Sequence, residues 1–246
     1  MKALSVFTLA SLVLVPLTTQ ALTLNDDFSL QISLAAVSDY RTRGISQTLG
    51  DPAAQAGATL IHSSGLYVGA WTSSVDFGGD FKTRQELDYY AGYNWQATDA
   101  VSLDLGYIKY SYPKESQFNL SETYAILDAY GVQLGAYYSN DTPNVFGENQ
   151  ATLYTYLGYN TTLPAEVGLK LRYGRNDVKD PAFVSPNGNS RESYHEWEAK
   201  LTRDFVGVTW GLSYIDTDLS KSECTGWYGY GDLCTATVVV SASKTF

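Results

Sequence analysis

Acids and bases recur two positions apart in segments that are otherwise apolar. Asp39, Arg41 and Arg43 form one set, and Glu86 and Asp88 a second. Lys170 with Arg172 is a third, and Glu196, Glu198 and Lys200 are a fourth; Asp104 stands alone between Leu103 and Leu105. A spacing of two puts each set on one face of a β-strand. If that face encloses a lumen, acids and bases on separate walls line a pore and sort solutes by charge. The simpler alternative is a network of pairs that fills the lumen, as in small barrels. The narrow pore is the preferred expectation, with a constriction formed by Arg41, Arg43, Glu86, Asp88, Arg172 and Glu196. Six acids against five bases is too even a balance to predict ion selectivity. Arg41 and Arg43, next to Gly44, could together hold an anionic group; a salt bridge to Asp39 or to a neighbouring wall is preferred.

Other reactive residue types are few. Two cysteines and two histidines leave little room for a metal or haem site, so no cofactor is expected. Cys224 and Cys234 bracket an aromatic, glycine-rich segment, and a disulfide there would staple a loop. Their spacing is not Cys-x-x-Cys, which argues against redox work. Ser193 and His195 share one face of a segment, but a hydrolase also needs a third group to orient the base. None is identifiable, and His62 beside Ser63 and Ser64 reads as a turn residue, so no enzymatic activity is expected. The acids Asp141, Glu148, Asp177, Asp180, Asp216, Asp218 and Glu223 read as a solvated surface able to meet lipopolysaccharide through divalent cations; they lack the spacing of a calcium loop.

The elements that position these residues are strands. Val101, Leu103, Leu105 and Tyr107 alternate with Ser102, Asp104 and Gly106; Val167, Leu169, Leu171 and Tyr173 alternate with Gly168, Lys170 and Arg172. Such alternation is the strand signature. Twelve strands are predicted, over 28–45, 53–62, 65–76, 84–96, 100–111, 120–128, 131–140, 149–160, 165–174, 191–203, 206–216 and 233–246, and no helix. On the third, Tyr67 and Trp71 compete with Leu66 and Val68 for the apolar face. Even-numbered connections are short and odd-numbered ones mostly longer, as in an outer-membrane barrel with short periplasmic turns. Aromatics toward the ends of the apolar faces (Tyr89, Tyr93, Trp95, Tyr107, Tyr138, Tyr159, Tyr173, Trp197, Tyr214) suit interfacial girdles. The terminal strand carries Val238, Val240 and Ala242 and ends at Phe246, with Lys244 interrupting the pattern. A charge on the lipid face costs roughly 2–4 kcal/mol at the midplane, so the paired acids and bases should point inward.

The chain has 246 residues, 44% of them hydrophobic, with 20 tyrosines and a net charge of −10. That composition excludes disorder and gives no basic face for nucleic acid. Met1-Lys2, an apolar run from Leu4 to Leu17 and small residues up to Ala21 read as a secretory signal peptide over 1–21, leaving residues 22–246 as the barrel.

Ser38-Asp-Tyr-Arg-Thr-Arg-Gly-Ile-Ser-Gln-Thr48, Pro52-Ala-Ala-Gln-Ala-Gly57, Gly65-Leu-Tyr-Val-Gly-Ala-Trp-Thr-Ser-Ser74, Glu86-Leu-Asp88 and Ala91-Gly-Tyr93 together resemble the TorF-type porins of proteobacterial outer membranes. The resemblance is carried by residues 38–95. It implies a barrel and suggests a pore, and says little about substrate. The expectation is thus an all-β, antiparallel up-and-down barrel in the bacterial outer membrane that passes small polar or charged solutes. Its expected partners are outer-membrane lipid, lipopolysaccharide and the barrel-assembly machinery, the last through the strand ending at Phe246. The alternative is a plugged structural or adhesive barrel that acts through its outer loops.

Overall fold

The computed structural model describes residues 21–144 and 148–246. The signal peptide expected over 1–21 lies, except for Ala21, outside the described residues. Twelve antiparallel strands form one closed sheet. They are β1 (Phe28–Val37), β2 (Ala53–His62), β3 (Leu66–Ser74), β4 (Gln85–Thr98), β5 (Val101–Ser111) and β6 (Leu120–Ala129). The second half is β7 (Val132–Pro143), β8 (Asn149–Leu163), β9 (Val167–Asp177), β10 (Ser193–Phe205), β11 (Val208–Thr217) and β12 (Thr237–Thr245). Each strand pairs with the next, and β1 also pairs with β12, from Ser241↔Val37 to Thr245↔Ser33. Phe246 completes the closure by exchanging two main-chain hydrogen bonds with Ile32.

The alternation decides which way each side chain points. Leu34, Val68, Leu105, Leu134, Leu157, Leu212 and Val240 are exposed on the outside of the barrel, while Asp88 and Glu196 inside have no exposure. Tyr89, Trp95, Tyr107, Tyr173 and Trp210 belong to the same outer surface. An apolar exterior around a polar interior is the inverse of a soluble sandwich and the arrangement lipid requires, since every strand edge is also paired. The protein is therefore a barrel of the outer-membrane type. Lys244 is the one charge on the outer face of β12, and its ammonium sits 4.9 Å from the centre of the Phe246 ring. The stem thus lies along apolar surface while the charge stays at the rim.

The strand count agrees with the sequence reading; three local features differ from it, and on β3 the structure settles a face the sequence left open. The first strand stops at Val37 rather than 45, because residues 38–52 turn inward. The last long loop contains a helix, α1 (Lys221–Tyr228), where none was expected. Ser220 caps it: its side chain accepts from the Glu223 amide while the Glu223 carboxylate accepts from the Ser220 amide. Eight residues with weak amphipathicity leave little periodic signal. On β3, Leu66 and Val68 face outward and Tyr67 inward. The turn expected at Asp204-Phe205 falls at Val206-Gly207, both with positive φ, as a two-residue type I′ hairpin requires; a valine there reads as strand.

The long loops close one end of the barrel with two clusters. Tyr40, Val75, Phe77, Tyr112 and Phe118 pack with Tyr90, Ile108 and Tyr110 of the wall. Ile45, Val178, Phe183, Leu219, Trp227, Tyr228 and Leu233 pack with Tyr194 and with Cys224 and Cys234, which are disulfide-bonded.

Candidate functional site

The first long loop, residues 38–52, descends into the barrel as a small hairpin. Arg41 and Thr42 pair with Ser46 and Ile45. The turn between them is Arg43-Gly44, with φ of 48° and 84°. Glycine accepts such a conformation; for an arginine it costs about 1–2 kcal/mol. Gly44 is also pressed against the wall, where an added Cβ would run into the Thr217 side chain.

Asp39 organises the hairpin from within. Its Oδ2 accepts from Arg41 Nε at 2.6 Å, and its Oδ1 accepts from the hydroxyls of Ser46 at 2.6 Å and Thr48 at 3.2 Å. Arg41 also donates to the carbonyls of Gly44 and Thr235. Asp39 and Arg41 are thus internal struts of the loop rather than strand residues. The arginine pair does not converge on one anion, because the two side chains leave the hairpin in different directions.

Arg43 crosses to the wall. Its Nη2 lies 2.8 and 3.0 Å from the two carboxylate oxygens of Glu122 on β6. Its guanidinium carbon sits 4.4 Å from the centre of the Tyr154 ring and 5.5 Å from that of Tyr137. Arginine and glutamate are 2% and 1% exposed, so the pair is shut off from water. Tyr194 donates from its hydroxyl to the Arg43 carbonyl, and Tyr40 of the loop donates to Glu86 at 3.1 Å. Asp88, two residues along β4, has no exposure and lies against the Glu86 side chain.

A second charged group adjoins the first on the other side of Tyr154. Arg172 donates from Nε to Glu196 at 2.9 Å, and its Nη2 is 3.2 Å from Glu198. Tyr154 donates to the same Glu196 oxygen at 2.5 Å. Below it, toward the short turns, Lys170 and Lys200 are register partners and half-buried. Asp104 accepts from Tyr67 at 2.6 Å, and the Tyr67 and Tyr124 hydroxyls are 2.5 Å apart. The structure therefore brings Arg43, Glu86 and Asp88 to one wall and Arg172, Glu196, Glu198, Lys170 and Lys200 to another, with Asp104 lower on the first.

Two contributors escaped the sequence reading. Glu122 alternates with Thr123 on a strand whose faces differ little in polarity, since Ile126 points inward and Thr123 outward. Tyr67, Tyr110, Tyr124, Tyr154 and Tyr156 point inward beside Tyr90 and Tyr137, whose alternation already put them on the polar face. The signal that could have found them is glycine. Built Cβ atoms at Gly92, Gly106 and Gly135 collide with the rings of Tyr67, Tyr124 and Tyr156, their register partners on adjacent strands. An inward glycine opposite a tyrosine marks a ring lying flat across the wall.

The Ser193–His195 pair is not assembled for hydrolysis. Ser193 accepts from Arg175 at 3.2 Å, and His195 Nδ1 lies 3.3 Å from Asp218 with its ring stacked on Tyr173. Among the described residues, no hydrogen bond joins Ser193 to His195; the His62 ring is bonded to Ser64 at 2.8 Å, in an exposed turn.

Comparison with known proteins agrees with this architecture. A family described as "Bacterial protein of unknown function (Gcw_chp)" matches residues 23–246, and the chain belongs to it. No curated protein matches the sequence. Among solved structures, the chain is similar to the NanC porin, with 10% identity, 87% of this chain and 98% of that one covered, and a TM-score of 0.53. It is also similar to the KdgM porin, with 10% identity, coverage of 88% and 99%, and a TM-score of 0.50. KdgM has also been solved in complex with disordered oligogalacturonate. At these identities the likeness is one of fold.

Proposed function

We propose that this member of the family is a porin-like conduit of the outer membrane, closed at its long-loop end by the inward hairpin of residues 38–52. Solutes are small and polar, passage is passive, and no covalent chemistry is involved. The reading is carried by how the hairpin is held. Beyond Ser38, whose amide donates to the Val240 carbonyl where the loop leaves the wall, its main-chain bonds to the rest of the chain run to other loops, from Ser46 to the Leu233 carbonyl and from Asp76 to the Gln47 carbonyl. Its bonds to the barrel wall are made through side chains: Arg43 to Glu122, Tyr40 to Glu86, and Tyr194 to the Arg43 carbonyl. Side-chain contacts of that kind can be exchanged without breaking a strand ladder, so the plug is removable while the barrel is not. Below the plug, the half-buried Lys170, Lys200, Glu198, Asn94 and Asp128 face the space toward the short turns. The narrower kinship with TorF-type porins belongs to this proposal, as do insertion among outer-membrane lipid and lipopolysaccharide and assembly through the strand ending at Phe246.

The test is single-channel recording from refolded protein in planar bilayers. Replacing residues 41–46 by glycine and serine should raise conductance well above that of the unaltered barrel. A folded variant that stays silent would overturn the conduit. It would favour the second reading, a plugged barrel working through its loops, for which the disulfide-bonded, helix-bearing cap is the specific support.

A further inference from the structure

We infer that the pocket holding Arg43 is the recognition site of the conduit and that it selects small organic cations, guanidinium- or amine-bearing solutes for which Arg43 is a tethered stand-in. This rests on the conduit reading above. The pocket belongs to the barrel wall, not to the loop. In register along β4–β6, Asp88 stands opposite Tyr110, and Glu122 is one inward position along β6 from Tyr124. Tyr137 and Tyr154 are register partners on β7 and β8. Together they supply carboxylates at the edge of a planar cation and aromatic faces beneath it, the chemistry that binds guanidinium and alkylammonium groups.

The wall is also charged in one sense. The inward ionisable residues of β4, β5 and β6 are Glu86, Asp88, Asp104, Glu122 and Asp128, all acidic. The bases of the lumen, Lys170, Arg172 and Lys200, lie on β9 and β10, the next strands past Tyr154, where Glu196 and Glu198 pair with Arg172. The cation that meets the acidic wall is lent by the loop. When the hairpin leaves, the buried Glu122 carboxylate faces the lumen uncompensated and draws in a mobile cation.

Arg43 fills the pocket incompletely. Its Nε and Nη1 have no acceptor, and the Tyr110 hydroxyl oxygen beside it has no partner. Donors and acceptors left unmet on both sides are costly at zero exposure. The hairpin holds the guanidinium where only Glu122 is within its reach. A free cation, able to turn and shift, can meet Glu122 and Asp88 together.

The experiment uses the refolded full-length barrel with Arg43→Ala, and methylguanidinium as the probe. Methylurea, its neutral counterpart of the same shape, and sodium chloride are the controls. Thermal unfolding followed by tryptophan fluorescence should show a saturable upward shift with methylguanidinium alone, abolished in R43A/E122Q. Entry into vesicles carrying R43A should be severalfold faster for methylguanidinium than for methylurea. Stabilisation without entry keeps the cation site and removes the conduit. Equal entry of both probes without stabilisation keeps the conduit and overturns the site. Neither response overturns both. If R43A does not fold, Arg43→Gln, which keeps the length without the charge, carries the same measurements.

Discussion

Consider the loss of one partner from the Arg43–Glu122 pair. Glu122→Leu removes the carboxylate that both satisfies and neutralises a guanidinium 2% exposed. Breaking a buried pair in this way typically costs about 3–5 kcal/mol, because the remaining charge stays desolvated. The Tyr154 ring, 4.4 Å from the guanidinium carbon, offsets about 2 kcal/mol at most. The loss is bounded, because the hairpin can undock and return Arg43 to water. Undocking gives up roughly 1.5–3 kcal/mol for fully buried Ile45. It also gives up about 1.5–3 kcal/mol for the Tyr40–Glu86 bond and about 1 kcal/mol for the Tyr194 bond. Undocking thus costs about 4–7 kcal/mol in all, so the docked route is the cheaper one and the expected loss is about 3–5 kcal/mol. Replacing both residues, Arg43→Met with Glu122→Leu, should return stability to within about 1–2 kcal/mol of the original, since no charge is left unpaired. The assay is reversible urea unfolding in phospholipid vesicles, with proteolysis at residues 38–52 reporting whether the hairpin has undocked. A single-variant loss below about 1 kcal/mol with the hairpin still protected would refute the reasoning. So would a double variant as unstable as the sum of the singles.

Further expectations follow from the same geometry. Gly135→Ala places a methyl group against the Tyr156 ring and should cost about 1–3 kcal/mol. Gly226→Ala on α1 meets open space and should stabilise the cap by about 0.5–1 kcal/mol; urea midpoints compare the two. Leu134→Arg puts a charge on the lipid face and should cost about 2–4 kcal/mol by equilibrium unfolding in vesicles, whereas Gln133→Arg on the inner face should be milder. In the cap, burial alone would raise the Glu223 carboxyl, but the Arg191 guanidinium and the Ser220 hydroxyl and amide outweigh it and hold the group below its ordinary value. Its contribution is therefore present above the unfolded value of about 4.3 and fades as pH falls through the lower folded one. Hydrogen-exchange protection factors in residues 218–236, which correct for the intrinsic pH dependence of exchange, should fall below about pH 4 and stay level there in Glu223→Gln.

Strict alternation in 101–107, 132–138, 167–173 and 208–214 dictated strands with two unlike faces; end-placed aromatics and segregated loop lengths, not the period, turned the apolar face toward lipid. That information is local, because a period of two follows from the strand itself and a charge facing lipid is too costly to place. Loop lengths told which ends were which. Alternation failed where both faces carry similar polarity, and so Glu122 went unassigned. Tyrosine failed as a marker because one ring suits a girdle and a lumen equally; only the register that sets Gly106 against Tyr124 separates the cases. Val206 read as strand because a positive φ leaves no trace in composition. The largest departure, Asp39, Arg41 and Arg43 leaving the wall to plug it, had the least local signal. Arg43 and Glu122 are 79 positions apart, and their meeting depends on closure of the sheet, which brings β1 beside β2 and β12 and aims the first loop across the lumen. The sequence by itself determined a barrel, its strands and the supply of inward charges. Which charges meet, and that one of them comes from a loop, was decided by tertiary structure, because pairing across a lumen depends on distances that only the closed barrel sets.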